Sequence, residues 1–275
     1  MSYVKIAGKW LAIWIALTVG QIAGGLIGQV LVHPSLPAPP HDGPFDVMQA
    51  LALINAAYAA VLCLQAPRLR GGLWLRALTM FGILYTVGTL LSLVEAIYFQ
   101  AYVRLPMPIL YLNAVADLGH DAMGAVAAAL LWRGAEGPSE RFGGLWWRIA
   151  VIIPIYIVVY FGAGALIAWQ GAAVRAYYQQ GMHIDNGQLA LLQVFRGLVW
   201  ATAAFLSVRQ LTGAFWLRAL ITGVAFSVFM AAVLIVPNSF MPWAVARFHL
   251  AEIGISNLIF GFIAASILLG GRKTA

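Results

Sequence analysis

The sequence predicts an all-α integral membrane protein, a polytopic bundle of eight transmembrane helices. Of its 275 residues, 63% are hydrophobic and only 9% are charged, whereas a soluble domain carries about 25% charged residues. Apolar runs near the ~20 residues that a helix needs to cross a bilayer recur along the chain. Spanning strands would be shorter and would alternate polar with apolar residues.

The first four helices are predicted at about residues 10–32, 46–65, 73–98 and 108–132. The first follows Lys5 and Lys9, and it ends at a proline-rich link, residues 33–45, which favours an extended conformation. The third opens after a glycine pair at Gly71, and the fourth enters the membrane near Pro108.

The last four helices are predicted at about residues 148–169, 189–208, 215–236 and 244–269. Tryptophans such as Trp147, Trp216 and Trp243 lie at the ends of these runs, as expected for aromatic belts at the membrane surface. Between the fifth and sixth helices, residues 170–188 form the longest connection on the outer side. Its Tyr177 and Tyr178 are suited to anchoring a loop at the headgroups, and a lid over an outer cavity is the alternative.

The basic residues test this helix count. Twelve Lys and Arg residues fall on one side of the predicted membrane, against three on the other, Arg104, Arg175 and Arg247. The positive-inside rule therefore predicts a cell inner membrane protein with both termini on the cytoplasmic side. Because the basic residues never form a block, the formal charge of +7 does not indicate nucleic-acid binding.

An internal duplication is the strongest structural inference beyond the helices. The stretch GGLWLRAL at Gly71 matches GAFWLRAL at Gly213, and ADLG at Ala116 matches AEIG at Ala251. We expect one membrane domain over residues 1–275 that contains two tandem four-helix repeats, 1–134 and 142–272. Because four is an even number, the copies should be related by an axis along the membrane normal.

Small residues form ridges on two helices. Gly20, Gly24 and Gly28 are spaced by four in the first helix, and Gly162 and Gly164 occupy a comparable place in the fifth. Such ridges let helices approach closely in lipid. They predict tight packing within the chain or, alternatively, docking of a second copy or of another membrane protein.

Ionisable residues inside the apolar runs are the candidates for a site. The stretch ADLGHDAMG puts Asp117, His120 and Asp121 on one face of the fourth helix, at the spacing i, i+3, i+4. Glu252 in the eighth helix and Arg196 in the sixth lie at a similar depth, about 10 to 14 Å from the outer side. A charge there costs ~2.5 to 3.5 kcal/mol, so each should face the interior and have a partner.

Further polar residues lie near this level and are predicted to support the site. They are Asn55, Glu95, His249, Ser256 and Asn257. Of these, Glu95 ends the third helix close enough to the outer side for its charge to be solvated.

The balance of acidic and basic residues at this depth limits which ligands the predicted site can bind. Three buried acids, Asp117, Asp121 and Glu252, face one buried base, Arg196. We therefore expect Arg196 to pair with one acid or with a substrate anion, while the remaining acids hold protons or bind a cation or a small-molecule ligand. The alternative is a purely structural salt bridge between the repeats.

Other chemistries find little support. No HExxH, no cysteine pair, no GxSxG and no Walker motif occurs, and two histidines at matched depth for haem are lacking. No metal and no cofactor is predicted, and the expected surroundings are the lipid bilayer.

The leading hypothesis is a transporter or permease-like protein with an outward-facing, acid-rich site between the repeats. One alternative is a membrane-embedded enzyme acting on a lipid or isoprenoid headgroup, with an acid and His120 in acid–base roles. Another is a non-catalytic subunit that assembles a membrane complex.

Overall fold

A computed structural model describes residues 2–34, 40, 42–100, 105–137, 139–179 and 185–271. Within these residues, eight long helices form one bundle. They are α1 (Tyr3–Val32), α2 (Val47–Gln65), α3 (Leu73–Tyr98), α4 (Met107–Leu131), α5 (Leu145–Leu166), α6 (Asn186–Gln210), α7 (Phe215–Ala231) and α8 (Trp243–Leu269).

All eight helices are long and apolar enough to span a membrane. The predicted class, an all-α multi-pass membrane protein surrounded by a lipid bilayer, is therefore confirmed. The largest boundary difference is at α1, which begins at Tyr3 and so includes Lys5 and Lys9. Those charged turns lie where a helix can continue beyond the hydrocarbon into water.

Two long helices change their hydrogen-bonding pattern along their length. α3 has a π-helical segment at Tyr85–Leu90, and α7 continues as a 3₁₀ segment at Ala232–Ile235. The π-helical pattern often marks a functional position inside a helix. Between α5 and α6 lies a short helix, Ala172–Tyr178.

The same helix pairs recur in the two halves of the chain. In the first half α1 packs on α2 and α4, and in the second α5 packs on α6 and α8. The halves meet where α2 packs on α7 and α3 packs on α6. This reciprocal pairing is what a twofold relation between two repeats requires, and it supports the predicted duplication, which stays a prediction.

The turns that precede α3 and α7 pair with each other at the end of the bundle where α1 begins, called here the basic end. Leu69 and Leu211 form an antiparallel bridge, and these positions are 142 apart, as are Gly71 and Gly213. Both glycines have a positive φ, of 91° and 118°, which favours glycine at each turn. The two similar stretches therefore share a backbone conformation as well as a sequence.

The glycine ridge of α1 packs against α4 of the same chain. A side chain on Gly24 would place its Cβ 2.6 Å from the carbonyl oxygen of Ala116, and a Cβ on Gly20 would lie closer still to the carbonyl oxygen of Gly119. This ridge is therefore occupied within the chain and is not a free docking surface. This close contact between the α1 and α4 backbones holds α4, and with it Asp117 to Asp121, in place.

Glu140, in the connection between the halves, forms salt bridges with two arginines at the basic end. Glu140 accepts from Arg218 at 2.8 and 3.0 Å and from Arg70 at 3.0 Å. Burial tends to raise the pKa of Glu140, but the two guanidinium groups outweigh it and lower the pKa below its usual 4.5. The connection is thus tied to both halves by charge.

Gly24→Ala should destabilise the protein by about 1 to 3 kcal/mol, because the added methyl group meets the α4 backbone. The matched control is Gly25→Ala on the next residue, where nothing lies within 4 Å of an added Cβ. That change should leave stability the same or slightly higher, since alanine favours helix. Unfolding in detergent measures both; equal effects would contradict the α1–α4 contact.

Glu140→Gln should lower the free energy of unfolding at neutral pH by about 3 kcal/mol, because buried Arg218 loses the negative charge of Glu140. Since folding lowers the pKa of Glu140, its contribution is present above pH 4.5 and is lost as pH falls through the folded value. Unfolding measured against pH should therefore show a smaller loss on acidification in the variant. An unchanged pH profile would contradict this role.

Candidate functional site

Five of the predicted site residues lie in two clusters. The first, called the His120 cluster, consists of Thr18, Gln21, Asn55, His120 and Asp121 on α1, α2 and α4. The second, called the Arg196 cluster, consists of Glu95, Tyr156, Tyr160, Gln193 and Arg196 on α3, α5 and α6. Within the described residues, no hydrogen bond or ion pair joins Asp117, Arg196 and Glu252 to one another.

Among the described residues, Asp121 is the most deeply buried acid and His120 the most deeply buried imidazole, with 2% and 4% of their surfaces exposed. The Nδ1 atom of His120 lies 2.6 Å from Oδ1 of Asp121, and its Nε2 atom lies 2.9 Å from Oδ1 of Asn55. Both ring nitrogens therefore face oxygen atoms.

The orientation of the Asn55 amide is determined by its neighbours. The Thr18 hydroxyl donates to the carbonyl of Trp14, so its oxygen is left to accept from the Asn55 amide nitrogen, at 3.1 Å. The same nitrogen donates to Gln21 at 3.2 Å. The Asn55 oxygen must then face His120, and Nε2 must carry a hydrogen to donate to it.

This leaves one proton between His120 and Asp121. Either imidazolium donates from Nδ1 to the carboxylate, or a protonated Asp121 donates to neutral Nδ1. If that proton left, a lone pair would face a carboxylate oxygen across 2.6 Å in the low dielectric of the interior. The pair can therefore lose the proton only if the side chains separate or a new partner arrives.

Asp117 has a weaker partner. Its Oδ2 atom accepts from the Thr89 hydroxyl at 2.8 Å, and Thr89 lies in the π-helical segment of α3. The segment also brings Tyr85 to the carbonyl of Ala114, at 3.4 Å. Asp117 is thus the predicted acid that no basic side chain neutralises within the described residues.

Arg196 pairs with Glu95, which corrects the expectation that it pairs with Asp117 or Glu252. The guanidinium makes a two-pronged contact with the carboxylate, at 3.0 and 2.9 Å, and joins α6 of the second half to α3 of the first. Glu95 therefore does not simply face water, although 26% of its side chain is exposed against 3% for Arg196. The rings of Tyr156 and Tyr160 lie 5.8 and 5.4 Å from the guanidinium carbon.

Glu252 belongs to a chain of three side chains. His249 Nδ1 lies 2.7 Å from Glu252, and His249 Nε2 lies 3.0 Å from the Tyr178 hydroxyl. Because a hydroxyl can donate or accept, this chain can gain or lose a proton and keep its hydrogen bonds. Burial first, and then the charges of Glu95, Tyr177 and Glu252, raise the pKa of the Tyr178 hydroxyl.

The two tyrosines of the short helix face protein. Tyr177 donates to the carbonyl of Phe240, and Tyr178 meets His249. The expectation that both are headgroup anchors is therefore wrong for their hydroxyls. The helix is held against α8 by an apolar contact of Val174 with Val245.

The remaining predicted residues have local roles. Ser256 is buried and donates to the carbonyl of Ile253 in its own helix, and Asn257 is buried beside it on α8. Among the described residues, no three His, Cys, Asp or Glu side chains are placed to hold a metal ion.

Comparisons with protein-family models, with curated proteins and with solved structures find no match to this chain. Its function has to be argued from the site itself.

Four neutral residues at these positions were not predicted from the sequence: two in the His120 cluster, one in the Arg196 cluster and one beside Asp117. Thr18, Gln21, Thr89 and Gln193 are single polar residues inside apolar helices. The glutamines carried a usable signal, because an amide in hydrocarbon needs a partner. No signal marked Thr89, since threonine in a membrane helix commonly bonds to its own backbone.

Glu95→Met should cost about 3 to 5 kcal/mol of stability, because it leaves a buried guanidinium without a counter-ion. Arg196→Met should cost less, since Glu95 is partly exposed. The double variant should recover to within ~1 kcal/mol of the wild type, as both charges are gone. Unfolding of the three variants in detergent measures this; losses that simply add would contradict the pair.

Proposed function

We propose that the protein is a proton-coupled transporter or permease-like protein of a cell inner membrane. The observation that carries the proposal is the arrangement of Asn55, His120 and Asp121, whose hydrogen bonds require a proton between His120 and Asp121 and oppose its loss. The His120–Asp121 pair can release its proton only when its side chains move. Such a link between protonation and conformation is required for coupling proton movement to transport.

The His120 cluster is in contact with the other half of the bundle. The ring of Tyr58 lies 5.6 Å from the His120 ring, and its hydroxyl donates to the carbonyl of Phe229 in α7 at 2.6 Å. Close to this bond, Gly88 of the π-helical segment of α3 approaches the same carbonyl. A movement of His120 would therefore reach the interface between the halves directly.

The irregular segments of α3 and α7 support a transport role. In the proposed duplication, repeat 1–134 and repeat 142–272, the π-helical segment Tyr85–Leu90 corresponds to positions 227–232, where α7 changes to a 3₁₀ helix. Interrupted helices at corresponding positions of two repeats are typical of transporter binding sites. Asp117 lies beside the first of them, through Thr89.

The His249 chain fits proton exchange with the far side of the membrane. The His249 and Glu252 side chains are 16% and 11% exposed, against 5% and 3% for His120 and Asp121. The chain lies at the end of the bundle away from the basic end. With both termini in the cytoplasm, as the basic residues favour, this end faces outward.

A purely structural salt bridge between the repeats, the alternative to a functional site, explains fewer of the buried acids. It accounts for Glu95 and Arg196, which neutralise each other, but it leaves Asp117, Asp121 and Glu252 without a permanent cation. An Asn at position 121 would make similar hydrogen bonds without the cost of a buried acid. A proton-carrying role gives a reason for an acid there.

Proteoliposomes with a trapped pH-sensitive dye test this function. Wild-type protein should produce a solute-dependent pH change when a panel of amino acids, organic acids and sugars is added outside. Asp121→Asn and His120→Gln should reduce that change to the rate of protein-free liposomes, because neither pair can release the shared proton.

Glu136→Gln is the matched control, since Glu136 is an exposed acid at the basic end. It should leave the solute-dependent pH change intact. Full coupling in folded Asp121→Asn would contradict the proposal, and so would a wild-type protein that moves solute with no accompanying proton.

A further inference from the structure

One face of α6 carries three buried side chains that can donate hydrogen bonds. Gln193, Arg196 and Trp200 are spaced i, i+3 and i+7, and their exposed fractions are 0%, 3% and 0%. Tyr156 of α5, which is 3% exposed, faces them, with its ring centre 6.3 Å from that of Trp200.

These side chains have donors without acceptors. Gln193 Nε2 and Arg196 Nε are buried and have no hydrogen-bond partner among the described residues, and Trp200 Nε1 and Tyr156 Oη have none there apart from each other. Buried polar groups are almost always hydrogen-bonded in proteins. Such donors on and beside one guanidinium indicate a place built for a ligand with acceptor oxygens.

The contact with Glu95 shows that the guanidinium of Arg196 binds a carboxylate. Its carboxylate lies flat against the two terminal nitrogens of Arg196, at 3.0 and 2.9 Å. Glu95 is also the exposed partner of the pair, and it belongs to the last turn before α3 ends at Tyr98. It can therefore leave the guanidinium toward the end of the bundle that carries the His249 chain.

We propose that Arg196, Gln193 and Tyr156 form the binding site for a monocarboxylate, which takes the place of Glu95 on the guanidinium. Monocarboxylates would then be the substrate class of the transporter proposed above. The role of this site in transport rests on that proposed function. The ligand's carboxylate oxygens would accept from Arg196 and from the donors that now lack acceptors.

The surroundings favour one negative charge over two. Arg196 is the one basic side chain in the cluster, and Glu95 stands beside it, so a phosphate dianion would lack a second cation. The planar contact with Arg196 also matches a carboxylate. Behind it, the rings of Tyr156 and Tyr160 flank the guanidinium and offer an apolar, aromatic wall. An aromatic acid such as benzoate is therefore a suitable probe.

Benzoate binding to the purified full-length protein in lipid nanodiscs tests the site, by calorimetry and without a gradient. Glu95→Gln should bind benzoate about tenfold more tightly than wild type, because the competing carboxylate is gone while Arg196 remains. Glu95→Gln combined with Arg196→Gln should lose binding. Neutral benzamide and inorganic phosphate should not bind to the single variant.

Two further variants keep the test decisive. Glu95→Asp shortens the competing side chain and should also raise benzoate affinity, even if Glu95→Gln folds poorly. Glu136→Gln removes an exposed acid and should leave affinity unchanged. The proposal is overturned if neither Glu95 variant gains affinity, if the double variant binds as well as Glu95→Gln, or if benzamide binds equally.

The result is separable from the function proposed above. If solute-dependent proton movement is found and depends on Asp121 but benzoate binds no Glu95 variant, the substrate class is wrong and the coupling stands. If benzoate binds as described but no solute moves protons, the site stands and the transport role is wrong.

Discussion

Lipid offers no hydrogen bonds, so each polar group within this bundle depends on a partner supplied by the protein. The constraint is most severe at His120 and Asp121, which are nearly completely buried in α4. There it decides a protonation state. Thr18 and Gln21 orient Asn55, Asn55 requires a hydrogen on one ring nitrogen, and the other nitrogen then shares a proton with Asp121.

The same constraint explains how the halves are held together. At the basic end Glu140 binds Arg70 and Arg218; near the middle Tyr58 bonds to the Phe229 carbonyl. Toward the other end Glu95 binds Arg196. Each of these contacts needs both partners, so separating the halves at any of these levels leaves a charge or a hydroxyl without the group it binds. A transporter that opens at one end has to replace the contact it breaks there, and a substrate carboxylate or a proton can do so.

The helices could be predicted from the sequence because hydrophobic length is a local property. The fourth helix was expected at 108–132 and is found at Met107–Leu131. The depth of Asp117, Arg196 and Glu252 was also predictable, since depth follows from residue count. Their pairing was not, because which helix faces which is set by packing. The close fit of Gly24 against Ala116 turns α4, and no count of residues along one helix reveals that rotation.

Glu95 illustrates why the partners of charged residues could not be predicted from the sequence. Its position near the end of α3 suggested solvation, yet the crossing of α3 and α6 between the halves brings it to Arg196. Once Arg196 is neutralised there, the acids of α4 and α8 depend on histidines, a hydroxyl or a proton. Tertiary packing thus changed the assignment of partners while the excess of acids over fixed cations remained.

The nitrogen resonances of His120, measured by solid-state NMR in lipid and identified by their loss in His120→Gln, test the shared proton most directly. The account predicts a hydrogen on Nε2 and a short, strongly hydrogen-bonded proton between Nδ1 and Asp121. A neutral ring with no hydrogen on Nε2, or a bare Nδ1 facing an ionised Asp121 in this same conformation, would contradict it.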